Sequence, residues 1–150
     1  MAKKTAVIYY SYGGSTKKEA ERIAEKCGAD VIRVYPVKER GIAGTTFWGG
    51  FESLTHRTAE LKPVDADLGQ YDRFIIGAPI WAGNPAPAFH SILDLIPAGR
   101  EVSCYFCSGS GTMRNEQAVR QQIGDHRLKC AGIRQVKTGI GISREEKTGE

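Results

Sequence analysis

Three short stretches of this chain combine glycines, hydroxyl side chains or an aromatic ring directly after an apolar run. The first is Ser11-Tyr12-Gly13-Gly14-Ser15-Thr16, between Thr5-Ala6-Val7-Ile8-Tyr9-Tyr10 and a segment of helical periodicity. Glycines there let backbone amides turn toward an anion, a helix N-terminus adds partial positive charge, and the hydroxyls of Ser11, Ser15 and Thr16 can donate to phosphate oxygens. An ordinary strand-to-helix turn with Ser15 or Thr16 as N-cap is the plainer reading. The second stretch, Pro79-Ile80-Trp81-Ala82-Gly83-Asn84-Pro85-Ala86-Pro87, follows Phe74-Ile75-Ile76-Gly77-Ala78. In it Trp81 offers a flat apolar face to a planar ring, or simply fills the core. The third, Ser108-Gly109-Ser110-Gly111-Thr112, has side chains small enough for a ligand to approach the backbone, and reads equally as a flexible turn.

The absent patterns narrow the ligand. Neither G-x-x-x-x-G-K-[ST] nor G-x-G-x-x-G occurs, so a nucleoside triphosphate or a dinucleotide is not expected, and a phosphate monoester on a smaller ligand is. No catalytic residue stands out. His56, His90 and His126 show no triad spacing and read as surface or capping residues. The cysteines Cys27, Cys104, Cys107 and Cys130 build neither a disulfide framework nor a zinc site. Cys104 and Cys107 are expected on opposite faces of one strand. A phosphatase reading through Cys107 and Arg114 meets a spacing problem, because six residues intervene where that signature needs five. A phosphorylated receiver domain would need acidic residues where Ser11-Tyr12 and Ala78-Pro79 stand.

These loops need rigid elements behind them. The run Thr5 to Tyr10 reads as a central parallel strand covered on both faces. Ala20, Ile23, Ala24 and Cys27 form the apolar stripe of a helix stopped by Gly28. Further strands are predicted over Asp30 to Tyr35, Phe74 to Ala78, Glu101 to Cys107 and within Ala131 to Ile142. Helices are predicted around Phe89 to Ile96 and from Thr112 to Ile123. The stretch Val37 to Gly69 is longer than an ordinary connection and is expected to be an elaborated loop, with one short helix near Phe47 to Leu61. Strands alternating with helices predict an α/β fold, a parallel sheet with helices on both faces and its ligand beyond the carboxyl ends of the strands.

Taken together, Tyr10 to Thr16, Gly77 to Gly83 and Ser108 to Gly111 resemble the three FMN-binding loops of flavodoxins, and the resemblance runs from about residue 5 to residue 142. It implies a single three-layer domain over 1–150, with a five-stranded parallel sheet in order 2-1-3-4-5. It further implies that Ser11, Tyr12, Gly13, Gly14, Ser15 and Thr16 hold the FMN phosphate. Pro79, Ile80, Trp81, Ala82, Gly83 and Asn84 would then flank the isoalloxazine, and Ser108, Gly109, Ser110 and Gly111 would touch the ring or ribityl chain. A backbone carbonyl at Ala82-Gly83-Asn84 would accept a hydrogen bond from N5–H of the reduced flavin. The function so implied is electron transfer through non-covalent FMN to redox partner proteins. An FMN-dependent NAD(P)H- or quinone-type reductase is the alternative, and a structural α/β module is the reading if FMN is not retained.

The chain departs from that family in three ways. Flavodoxins carry T/S-x-T/S-G-N-T in the first loop, whereas Gly13 and Ser15 stand here in place of a hydroxyl and an asparagine. One lost hydrogen bond of about 0.5 to 1.5 kcal/mol weakens FMN without abolishing binding. Second, the net charge of +4 differs from the strongly acidic family, which puts a standard basic reductase partner in doubt. The basic residues are scattered, so nucleic acid is not an expected partner. Third, the capping box Ser143-Arg144-Glu145-Glu146 is followed by four residues only, so the final helix is expected to be short or absent. The apolar strip so left bare is expected to be buried by a second copy of the chain, as a homodimer, or by part of Val37 to Gly69.

At 150 residues, 41% hydrophobic and 25% charged, the chain has ordinary single-domain composition. No apolar run nears the roughly 20 residues of a membrane span, and the first one is too short for a secretory core, so a cytoplasmic location is expected.

Overall fold

A computed structural model describes residues 4–11, 14–37, 60–81, 84–108, 113 and 116–137, with Trp81 described by its backbone alone. The chain forms β1 (Thr5–Tyr9), α1 (Ser15–Cys27), β2 (Asp30–Arg33), a 3-10 turn (Leu68–Gln70), β3 (Arg73–Trp81), β4 (Asn84–Pro85), α2 (Pro87–Leu95), β5 (Glu101–Ser108), α3 (Glu116–Asp125) and β6 (Lys129–Lys137). Five strands run parallel in the order β2-β1-β3-β5-β6, and the two-residue β4 folds back antiparallel on the end of β3. Counting the parallel strands alone, this is the expected order 2-1-3-4-5. The β1–β2, β3–β5 and β5–β6 crossovers each carry an α-helix to one face of the sheet, as right-handed parallel connections do.

Side-chain alternation divides the core in two. Ile8, Phe74, Ile76, Val102, Cys104 and Phe106 project to one face, where Phe89, Ile92 and Leu93 of α2 and Val119 and Ile123 of α3 cover them. Phe89 and Phe106 meet edge to face at 5.1 Å between ring centroids. Val7, Tyr9, Tyr105, Cys107 and Val136 project to the other face under Ala20 and Ala24 of α1. Cys104 and Cys107 therefore lie on opposite faces, as strand geometry predicts.

On the α1 side a groove of about 320 Å³ remains, lined by Ile23, Ile75, Ser103, Tyr105, Gly132 and Arg134 among others. The groove lies on the face where the bare strip is expected, and residues 38–59 of the loop expected to cover it lie outside the described residues. The described part of Val37 to Gly69 packs Leu61, Val64 and Leu68 against the opposite core. The cause is the bridge Pro36–Leu61, with Val37 N donating to Glu60 O at 2.8 Å and Lys62 N to Tyr35 O at 2.7 Å, which brings the returning chain in beside β2. The helix expected near Phe47 to Leu61 and the final helix fall outside the described residues, except that Glu60 and Leu61 lie at this bridge.

Two histidines differ from one another. His126 caps the C-terminus of α3 as expected, its Nδ1 lying 2.9 Å from Gln122 O and its Nε2 2.8 Å from Asp94 Oδ1. His90 is buried in α2, with Nδ1 at 2.9 Å from Gln122 Oε1, so it is neither a surface nor a capping residue. No helix among the described residues is long and apolar enough to cross a membrane.

Candidate functional site

The carboxyl ends of β1, β3 and β5 lie side by side. Tyr9 pairs with Gly77 and Pro79 with Cys107, while Tyr10 N donates to Gly77 O at 3.0 Å. Ser11, the Pro79–Trp81 end of β3 and Ser108 thus share one edge of the sheet. Tyr12, Gly13, Ala82, Gly83, Gly109, Ser110 and Gly111 belong to the same connections and lie outside the described residues.

The turn from β1 into α1 is built around its own backbone. Gly14, not Ser15 or Thr16, is the N-cap, at φ 102°, a left-handed conformation that strains any residue with a Cβ. A glycine cap has no side chain to occupy the first-turn amides, so the helix N-terminus stays open to another acceptor. Ser11 Oγ accepts the Gly14 amide at 3.1 Å, closing the turn, and the buried Ser11 still carries its own hydroxyl proton. Half-buried Ser15 makes no side-chain hydrogen bond among the described residues. Thr16 is engaged differently from the expectation: it is buried, and its hydroxyl bonds Cys107 beneath the turn.

What holds this turn on the sheet was not among the expected site residues. The Tyr105 hydroxyl donates to Thr16 O at 2.9 Å, and the Tyr105 ring lies where a Cβ on Gly77 would collide with it. Gly77 is therefore a packing requirement of the site, and burial pushes the Tyr105 phenol well above its ordinary pKa, keeping it a donor. Glu19, one turn further along α1, bonds Arg22 Nη2 and Arg134 Nη2 at 2.6 Å each, tying the helix to β6. Burial works to raise the Glu19 pKa, but the two guanidiniums outweigh it and hold the carboxyl below its usual value. Arg33, at the end of β2, donates from Nη2 to Ser11 O at 3.0 Å. Its sequence signal was nil, since only the pairing Tyr9 with Arg33 brings it beside the turn.

The second segment is less of a loop than its prolines and glycine predict. β3 runs on through Trp81, and Ile80 and Trp81 pair antiparallel with Pro85 and Asn84. Ala86 N closes the hairpin base on Pro79 O at 3.0 Å. Asn84 is buried, while Pro79 and Ile80 are half-exposed.

Cys107 does not suit nucleophilic chemistry. Burial pushes its thiol up to about 11, against a smaller opposing effect of the Thr16 hydroxyl, so it stays protonated at neutral pH. The phosphatase reading fails on that ground as well as on spacing, and Arg114 lies outside the described residues.

Solved structures share this architecture. A flavoprotein from Lactobacillus acidophilus NCFM, determined in complex with FMN, is 24% identical with a TM-score of 0.75, over 99% of this chain and 100% of that one. A putative flavoprotein from Bacteroides uniformis is 23% identical with a TM-score of 0.80, over 97% and 96% of the two chains. The two-electron reduced flavodoxin of Megasphaera elsdenii is more distant, 16% identical with a TM-score of 0.58 over 94% and 91%. No curated protein matches the sequence. The sequence profile of the family described as NADPH-dependent FMN reductase matches residues 4–136, and the chain belongs to that family.

Proposed function

We propose that the protein binds FMN non-covalently at this edge and uses it to take reducing equivalents from NADPH and hand them on, as a reductase of the family to which it belongs. The observation that carries the reading is the glycine-capped N-terminus of α1, standing open beside the ends of β1, β3 and β5. Ser11, Gly14, Ser15 and the first-turn amides would hold the phosphate, with Tyr12 and Gly13 completing the loop. The β3–β4 hairpin with Trp81 and the segment from Ser108 to Gly111 would flank the ring. When bound, FMN supplies the hydride acceptance and electron release that the chain's own side chains cannot. The protein's part is to bind, orient and tune. None of the described residues at the edge is an acid or base placed for proton transfer, which suits a reaction whose chemistry is the cofactor's.

Family membership moves the balance from the electron carrier, expected from the loops alone, to the nicotinamide-fed reductase. A net charge of +4 favours encounter with FMN and NADPH, both polyanions. We infer a cytoplasmic location, where NADPH is held reduced. Titration of the purified protein with FMN, followed by flavin fluorescence, and then NADPH oxidation by the loaded protein, tests the reading. Quenching with NADPH turnover to an added quinone or free flavin is the expected result. Quenching without NADPH oxidation, but with electrons passed to a protein acceptor after chemical reduction, restores the carrier. No flavin binding removes both.

A further inference from the structure

We propose that Arg33 is a positioning residue for the phosphate end of the flavin site, fixing the turn after β1 and giving it a preference for a phosphorylated flavin over a neutral one. This rests on the FMN reading above. Arg33 is the last residue of β2 and the register partner of Tyr9, which puts its side chain beside the point where the chain leaves β1. Its Nη2 donates to the Ser11 carbonyl at 3.0 Å. That bond engages the oxygen's lone pair and fixes the peptide leading into the turn, so the carbonyl is not presented to an incoming anion.

The guanidinium is itself held. Its central carbon lies 5.8 Å from the Tyr9 ring centroid and 5.2 Å from that of Tyr35, so two aromatic faces restrict where it can go. Its charge is not spent on a carboxylate. Arg22 and Arg134 share Glu19, Arg120 faces Glu116 and Arg73 faces Glu101, whereas Arg33 has no acidic partner among the described residues. Its Nε is buried and makes no hydrogen bond. Leaving a buried donor unmade and a charge unpaired is costly. A site that must attract an anion gives that cost a use, because a cation within a Debye length of a phosphate dianion lowers its energy in the loop. The first loop has Gly13 and Ser15 where flavodoxins carry a hydroxyl and an asparagine, and Arg33 brings a positive charge from β2 to the entry of that loop.

The test compares the dissociation constants of FMN and riboflavin, which differ only in the phosphate, for the wild type, Arg33→Met and Arg33→Lys. Thermal melting checks that each variant folds. Arg33→Met is expected to weaken FMN about tenfold and to leave riboflavin within about twofold, as for loss of one charge-assisted interaction. Arg33→Lys, which keeps the charge and loses the planar fork, is expected to weaken FMN about threefold. The wild-type advantage over Arg33→Met shrinks as salt rises to about 1 M. Equal weakening of both flavins by Arg33→Met, or no weakening, overturns the proposal while the FMN reading stands. If Arg33→Met does not fold, Arg33→Lys decides, and an FMN-to-riboflavin ratio equal to wild type overturns the proposal. Wild-type protein that binds no flavin overturns the FMN reading and this one with it.

Discussion

The two faces of the sheet are held by different means. On the α2–α3 side, Phe74, Phe89, Phe106, Ile76, Ile92 and Ile123 are buried completely and the adhesion is apolar. On the α1 side the helix offers mainly Ala20 and Ala24, and specific polar links do much of the fastening: Tyr105 to Thr16, Glu19 to Arg134, Arg33 to Ser11. Apolar packing tolerates small shifts, whereas hydrogen bonds of fixed length and direction set a position. The face that places the turn proposed to hold the phosphate is the one built from directional contacts. On the other face the side-chain bonds of His90 and His126 join α2 to α3, and both helices meet the sheet through apolar burial.

Substitutions on each side should separate these roles. Phe89→Ala, on the apolar face, is expected to cost about 4 kcal/mol in denaturant unfolding and to leave the FMN affinity of the folded protein unchanged. Gly77→Ala, on the α1 face, is expected to cost about 3 kcal/mol by driving the Tyr105 ring aside, and also to weaken FMN as the Thr16 carbonyl loses its donor. Equal effects of the two on flavin affinity would erase the distinction between the faces. Glu19→Gln should cost about 2 kcal/mol, less than a fully buried pair because the Arg134 side chain is 51% exposed. Its pH dependence has a definite sign. The folded pKa of Glu19 lies below the unfolded value, so the stabilisation is present above the unfolded pKa and is lost as pH falls through the folded one. Unfolding free energies of wild type and variant should therefore converge in acid, and a gap that stays constant down to about pH 2 would show that the charge is not what holds helix to strand.

The sequence made the parallel strands legible because strands buried on both faces read as unbroken apolar runs, as Ala6 to Tyr10 and Phe74 to Ala78 do. It was less able to show β4. Pro79, Asn84 and Pro85 are turn residues by type, yet at the end of β3, beyond the reach of β1, they form an edge hairpin in which a missing N–H costs little. β6 begins at Lys129 rather than Ala131, while the expected start of α3 at Thr112 lies outside the described residues. Of the site, the loops could be read from local composition. Arg33, Tyr105 and the packing role of Gly77 could not, because they arise from register across strands far apart in sequence, which no local window contains.

The Pro36–Leu61 bridge also fixes where the chain re-enters the fold. Val37 N to Glu60 O and Lys62 N to Tyr35 O clamp the returning segment beside the end of β2, so its heading toward the Leu68–Gln70 turn and β3 is set by main-chain bonds, which any residue but proline can make at the donor positions.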